Sequence, residues 1–245
     1  MKQNPLFANI QTGEAVYDNA DRATYKGITI KTIFLLAITI IIAAFVAFAL
    51  PTILENNFST FYVTLVISSI VGIIAVIVGR MSLKFAKYAS VIYAGCEGLF
   101  LGSISAILDA LYPGIVSTAV FTTLVLFSIM LVLFSTGILK MSSKFRTFCF
   151  ALTIGAIAIT LMVSLFSLFI DYSQYLGVMI FVEVFLLFYG VITLGLNFSE
   201  ANYVVASGAS KDAEWSVSLG LLVSIVYIYV EVLRLLALNA ARNDN

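Results

Sequence analysis

The sequence contains no histidine, three prolines, two cysteines and one tryptophan among 245 residues, and 11% of the residues are charged. The lack of histidine excludes histidine-ligated metal centres, histidine general bases and the side chain that usually titrates near neutral pH. Cys96 and Cys149 both lie in apolar stretches, so they indicate neither a disulfide framework nor a metal cluster. The formal net charge is zero, which argues against a nucleic-acid partner.

Recognisable enzyme motifs are also missing. The chain has no HExxH sequence, and without histidine no Ser–His pair can form. The last apolar run has no lysine for a retinal Schiff base, and no Walker or Rossmann glycine pattern is present. We therefore expect a protein that is not an enzyme and that carries no cofactor.

Hydrophobic residues, by contrast, make up 62% of the chain, against about 45–50% in soluble domains. Apolar runs long enough to cross about 30 Å of hydrocarbon recur along the sequence. This pattern predicts an all-α integral membrane protein, a bundle of seven transmembrane helices with a polar-striped last helix at its centre. The predicted spans are 28–50, 60–79, 88–111, 114–139, 147–170, 176–206 and 214–240.

The basic residues predict how this bundle is oriented. Residues 1–27 form a polar tail and residues 28–245 the seven-helix transmembrane domain. Lysine and arginine concentrate in the tail and in alternate loops, which the positive-inside rule assigns to the cytoplasm. The C-terminus then lies outside. The basic residues concerned are Lys2, Arg22, Lys26, Lys31, Arg80, Lys84, Lys87, Lys140, Lys144, Arg146 and Lys211.

Polar and small residues fall on single faces of three predicted helices, because they recur every three or four residues. In the third span, the small residues indicate a seam that lets a neighbouring helix approach closely, and Glu97 lies beside this seam. The face of the third span consists of Ala94, Gly98, Gly102 and Ala106. That of the sixth consists of Glu183, Gly190, Thr193, Asn197 and Glu200, and that of the seventh of Ser216, Gly220, Ser224, Tyr227, Glu231 and Arg234.

Two of these carboxyl groups should lie at one depth. With a rise of 1.5 Å per residue, Glu183 and Glu231 each come about 10 Å below the outer surface. A charge near the bilayer centre costs roughly 2.5–3.5 kcal/mol. We therefore expect Glu97, Glu183, Glu231 and Arg234 to face one another or water rather than lipid.

Structural explanations of these charges remain open. Glu231 and Arg234 could form a local ion pair that holds the helix end, and Glu97 could be a buried carboxyl bonded to backbone. Glu183 could lie at the membrane interface. The functional interpretation is that these side chains line or gate an ion path, with Asp109 and Asp171 at its outer mouth.

Four segments resemble the Bax inhibitor family of transmembrane proteins, in particular its bacterial branch. They are NPLF near the N-terminus, YAGCEGLFLGSISAILDALYPGIV (93–116), GLNFSEANYVVASGASKDAEW (195–215) and YIYVEVLRLL (227–236). The resemblance covers essentially the whole chain. It implies six helices around a hydrophilic last helix, and a bacterial inner (plasma) membrane location.

Characterised members of the family act as pH-sensitive calcium leak channels, in which acids on the sixth and seventh helices pair and control opening. By this resemblance Glu231 is the last-helix acid. The sixth-helix acid follows an aromatic residue in the family, but here Ser199 follows Phe198, flanked by Asn197 and Glu200. Either Glu97, Glu183 or Glu200 partners Glu231, or the acidic sensor has been lost.

The resemblance leads to a first hypothesis, a calcium leak channel gated by buried carboxyl groups. Without histidine, a pH response near neutrality requires carboxyl groups that hold protons to unusually high pH, as a buried pair sharing one proton does. The alternative is a non-conducting regulator that binds a membrane protease or a stress-response factor, with the N-terminal tail as its handle. A proton-coupled transporter is a third class, but the sequence shows no internal repeat.

Overall fold

The computed structural model describes residues 22–135, 143–166 and 176–243, and these residues form α-helices joined by short connections. Within these ranges the extended structure is limited to one isolated bridge between Arg22 and Ser210. The helices are α1 (Tyr25–Met81), α2 (Leu83–Leu111), α3 (Ile115–Ser135), α4 (Ser143–Phe166), α5 (Leu176–Ala206) and α6 (Ala213–Asn243).

The apolar segments of these helices match the predicted spans, and the protein is an all-α integral membrane protein. Six segments have the length and composition to cross a membrane, and Thr147–Met162 is a shorter apolar helix. The first two predicted spans both fall in α1, as Tyr25–Leu50 and Phe61–Met81. The predicted ends at 139 and 170 lie outside the described residues.

The first part of α1 packs along α2 in the same direction. Thr39 Oγ1 donates a hydrogen bond to the carbonyl oxygen of Ala94, at 3.2 Å. One turn further along α2, a Cβ added to Gly98 would lie 2.8 Å from the carbonyl oxygen of Thr39, and Gly102 lies against the backbone of Ala43. The predicted small-residue seam is therefore confirmed: the glycines let two backbones come into contact.

The last part of α1 packs along the same helix in the opposite direction. A Cβ added to Gly72 would lie 3.6 Å from Cys96 Cβ, and one added to Gly79 would lie 3.2 Å from Ala89 Cβ. A straight helix of 57 residues would be about 85 Å long, but both parts lie beside the middle of α2. The chain of α1 must therefore reverse between them, in the stretch that contains Pro51, whose nitrogen cannot donate a helical hydrogen bond.

The helices form two compact units. The first unit comprises Met1–Ile107 and Glu200–Val223, and the second comprises Leu108–Ser199 and Ser224–Asn245. α6 contributes its first third to the first unit and the remainder to the second. The predicted boundary between tail and transmembrane domain at residue 27 stays a prediction, because residues 1–21 lie outside the described ranges.

The last helix has the largest buried share of the candidate spans, at 44% of its most apolar window. Its serines and glutamates are buried together with leucines: Ser218, Leu219 and Leu222 are fully enclosed, and Glu231 is 3% exposed. The polar face predicted for this helix is thus turned towards protein and away from lipid, as the cost of exposing polar groups to hydrocarbon requires.

Candidate functional site

In the second unit, α5 and α6 run antiparallel, and their polar faces meet. Asn197 Nδ2 donates a hydrogen bond of 2.7 Å to Ser224 Oγ. Seven residues earlier on α5, Gly190 lies against the ring of Tyr227, where an added Cβ would come within 2.7 Å of a ring carbon. Because the helices are antiparallel, positions earlier on α5 contact positions later on α6. The next contact in this register is between Glu183 on α5 and both Glu231 and Arg234 on α6.

Arg234 joins these two carboxyl groups. Its Nη1 atom lies 3.6 Å from Glu183 Oε1 and 3.8 Å from Glu231 Oε1. The side chain of Glu231 is 4% exposed, that of Glu183 14% and that of Arg234 42%. The ion pair three residues apart on α6 does form, and it is extended by an acid from α5 whose side chain is mostly buried in the protein.

The two carboxyl groups also contact each other. Among the described residues, the second oxygen of each, Glu183 Oε2 and Glu231 Oε2, is buried and has no hydrogen-bond partner. Two carboxylates in contact repel each other, whereas a carboxylate and a carboxylic acid can share a proton through a hydrogen bond. Arg234 can balance the charge of only one carboxylate. The trio of Glu183, Glu231 and Arg234 is therefore electrically neutral when the two carboxyl groups hold one proton between them.

Three residues with hydroxyl groups, Tyr227, Tyr189 and Thr153, lie near Glu183, Glu231 and Arg234. The Tyr227 side chain lies next to Glu231, and its ring meets that of Tyr189 edge to face, with centroids 5.7 Å apart. The Tyr189 hydroxyl donates to Thr153 Oγ1 on α4 at 3.0 Å. Tyr227, Tyr189 and Thr153 thus form a series of contacts from α6 through α5 to α4 beside the pair of acids.

Glu97 belongs to the first unit and has different neighbours. Its half-buried side chain contacts Tyr93 on the preceding turn of α2. Both residues line a cavity of about 370 Å³, together with Ser68, Gly72 and Cys96. No group of three or more acidic or cysteine side chains in the described ranges could hold a metal ion. Glu97 is thus a single carboxyl at an otherwise mainly apolar cavity.

Glu200 is already paired within the first unit. Its Oε2 atom accepts a hydrogen bond of 2.7 Å from Arg80 Nη2, and Arg80 Nη1 donates to the carbonyl oxygen of Ser216 at 3.1 Å. Ser199, the residue at the position where the sixth-helix acid was expected, is half-buried. Neither residue supplies a carboxyl partner for Glu231.

The acids predicted at the outer mouth are less informative. Asp109 is exposed, and its Oδ1 atom accepts a hydrogen bond of 3.1 Å from the backbone nitrogen of Gly114, just before α3 begins. It therefore caps the start of a helix, a role that acidic side chains commonly have. Asp171 lies outside the described residues.

A comparison with protein families places this arrangement in context. The family model described as Bax inhibitor 1 like matches residues 4–241. The chain belongs to this family. No curated protein and no solved structure matches the chain.

Within this family framework, the structure distinguishes between the partners considered for Glu231. Glu183 is the acid beside it, Glu200 is bonded to Arg80, and Glu97 contacts Tyr93 in the other unit. Asn197, two residues before the predicted position of the sixth-helix acid, forms a neutral hydrogen bond with Ser224. The acidic contact between α5 and α6 thus lies about four turns away from that position along α5.

The most buried ion pair among the described residues of the first unit was not predicted from the sequence. Lys31 Nζ lies 2.5 Å from Glu214 Oε2, and the side chain of Glu214 is 1% exposed. Glu214 Oε1 accepts hydrogen bonds from the backbone nitrogen of Thr24 at 2.8 Å and from its hydroxyl at 3.2 Å. The carboxyl group fills the space in which Gly27 would carry a side chain.

A signal for this pair is present in the sequence. Lys31 lies inside the first predicted span, and Glu214 opens the last one. A charged residue just inside a span requires a partner or an exit to the interface, which marks both residues. Nothing in their spacing of 183 residues indicates that they pair with each other.

Proposed function

We propose that this protein is a pH-sensitive cation leak channel, with calcium as the favoured ion and with Glu183 and Glu231 as the carboxyl groups that gate it. The observation that carries the proposal is that these two carboxyl groups, on α5 and α6, both lie within 4 Å of Arg234 Nη1, at 3.6 Å and 3.8 Å. Family membership supports the same function, because relatives with this role also depend on a pair of acids on these two helices.

The net charge of Glu183, Glu231 and Arg234 depends on how many protons the two carboxyl groups hold. With one proton shared by Glu183 and Glu231, Arg234 balances the remaining carboxylate. With both carboxyl groups ionised, the trio carries one net negative charge in a largely enclosed place, where charge is costly. A change in proton occupancy therefore favours a different packing of α5 against α6, or the entry of a cation that restores neutrality.

Other oxygen-bearing side chains are proposed to meet the passing ion. Calcium binds carboxylate, carbonyl and amide oxygens, and Glu97, Asn197 and Ser199 offer such groups. Asp109 and Asp171 are proposed at the outer mouth, with Asp109 limited by its bond to the backbone of Gly114. Glu200 is left out of the path, since Arg80 holds its carboxylate.

The proposal also specifies the membrane and the orientation of the chain in it. The basic residues support an N-terminus in the cytoplasm and a C-terminus outside, and the family resemblance favours a bacterial inner membrane. The bilayer is the obligatory partner. No catalytic step is assigned, and no resident cofactor is needed.

Calcium entry into proteoliposomes, measured with an enclosed fluorescent indicator at external pH 6 to 8, tests this function. The wild-type protein should admit calcium faster than empty liposomes do, at a rate that depends on pH. Glu231→Gln should conduct with little or no dependence on pH, because the amide cannot exchange a proton. Asp212→Asn, which makes the same change at an exposed acid, should retain the wild-type profile.

Two outcomes would overturn the proposal. Calcium entry equal to that of empty liposomes at every pH would mean that the buried charges only brace the helices, and the regulator of a membrane protease or stress factor would become the better account. A wild-type pH profile in Glu231→Gln would show that the proton sensor lies elsewhere.

A further inference from the structure

Exposed basic side chains gather at one end of the first unit. We call Arg22, Lys26, Lys84, Lys87 and Lys211 the basic rim; all five are exposed. Arg22 is bridged to Ser210, next to Lys211, and the Lys31 amino group donates to the carbonyl oxygen of Lys211 at 3.2 Å. The start of α1, the start of α2 and the α5–α6 connection thus meet at this end.

The single tryptophan of the chain, Trp215, contacts one member of the rim, Lys87. The Trp215 ring has Lys31 Nζ 5.0 Å and Lys87 Nζ 5.9 Å from its centroid, and Phe34 meets it edge to face. Such cation–π contacts hold lysine amino groups beside an aromatic ring without cancelling their charge. Lys84 stands one turn before Lys87, so the positive charge continues along the start of α2.

The acids of this end do not neutralise the rim. Glu214 is buried against Lys31, and Glu200 is bonded to Arg80. Asp212 is the exposed acid that remains on this part of the first unit among the residues that the structure describes. Within the described part of this end, five exposed cations therefore accompany one exposed anion, and the internal ion pairs leave that excess unchanged.

Exposed aromatic side chains accompany the basic rim. Tyr25 is 54% exposed, Phe85 52% and Tyr88 66%, and each is next to or near a basic residue in sequence. Exposed aromatic rings of this kind are typical of the boundary between hydrocarbon and water. A small anion in solution has no apolar surface to contact these rings. A phospholipid has both a phosphate for the basic side chains and an acyl chain for the rings.

We propose that the basic rim around Trp215 binds the headgroups of anionic phospholipids in the leaflet that it faces. The lysines supply charge for the phosphate, and the exposed aromatic rings contact the adjoining glycerol and acyl region. This inference is independent of ion conduction.

Trp215 fluorescence tests the proposal, because the chain contains one tryptophan. The full-length protein is reconstituted in phosphatidylcholine vesicles that contain a fixed fraction of brominated phosphatidylglycerol or of brominated phosphatidylcholine. Bromine quenches the ring at short range. We expect stronger quenching by the anionic lipid, and we expect the difference to fall in 0.5 M salt, since salt screens exposed charges.

Two variants sharpen the result. Lys87→Gln and Lys211→Gln should each lower the relative binding constant for the anionic lipid on the order of five-fold. Lys211→Gln leaves the contacts of the Trp215 ring intact, so it controls for a direct effect of Lys87 on fluorescence. Arg242→Gln removes an exposed charge from the second unit and should change nothing, and inorganic phosphate added at 10 mM should not compete.

Equal quenching by the two brominated lipids in the wild-type protein would refute the proposal. So would a preference for the anionic lipid that survives unchanged in both lysine variants. Competition by inorganic phosphate would show a site for free anions instead of a lipid surface, and it would also overturn the inference.

Discussion

Replacing Lys31 with methionine is expected to lower the free energy of unfolding by about 3–5 kcal/mol, the usual cost of leaving a buried charge without its partner. Glu214 has a side chain that is 1% exposed, and Lys31 is the cation that touches it. The hydrogen bonds from Thr24 would remain, but they do not supply a balancing charge. Unfolding by SDS in detergent micelles, followed by circular dichroism, measures the change.

Two further variants control this prediction. Lys26→Met alters an exposed lysine on the same helix and should cost less than about 0.5 kcal/mol. The double variant Lys31→Met/Glu214→Gln should regain much of the lost stability, because no unpaired charge is left behind. A loss in Lys31→Met no larger than in Lys26→Met would show that the pair contributes nothing.

Replacing Arg234 with glutamine is expected to move the midpoint of the calcium flux to higher pH. Arg234 Nη1 is the cation beside both carboxyl groups, so its removal makes the negatively charged state of this site less favourable. A charge at 3.6 Å to 3.8 Å is worth about 4 kcal/mol at an effective dielectric constant of 20. Each pH unit corresponds to about 1.4 kcal/mol, which would give about three units.

Solvent reduces this figure, because the Arg234 side chain is 42% exposed and water screens its charge. We therefore expect an upward shift of about one unit. The flux assay at external pH 6 to 9 measures it, with Arg242→Gln as the matched control at an exposed arginine near the chain end. A midpoint that stays in place or moves to lower pH would contradict the assigned role of Arg234.

The helix periodicity of the sequence predicted the faces that meet. The spacing of small and polar residues on the third, sixth and seventh spans grouped Gly98, Gly102, Gly190 and Tyr227 on particular helix faces, and the structure places all four at close helix contacts. Such patterns are readable because a helix places residues three and four apart on one side, whatever the rest of the fold does.

The choice of partners was less predictable. Depth counting put Glu183 and Glu231 at one level, which favoured their contact, but Glu97 and Glu200 remained as alternatives because the register of α5 on α6 was unknown. The pair of Lys31 and Glu214 was missed because the sequence does not show that the start of α1 packs against the start of α6. A buried charge shows in sequence that it needs a partner, and tertiary packing alone decides which one.

The central claim is that Glu183 and Glu231 act as one proton-binding pair, and Glu183→Gln measured beside Glu231→Gln tests it most directly. Calcium entry into proteoliposomes should lose its pH dependence in each single variant and fall no further in the double variant, because removing either acid already destroys the shared site. If Glu183→Gln keeps the wild-type profile while Glu231→Gln loses it, Glu183 is not the partner and the account is wrong.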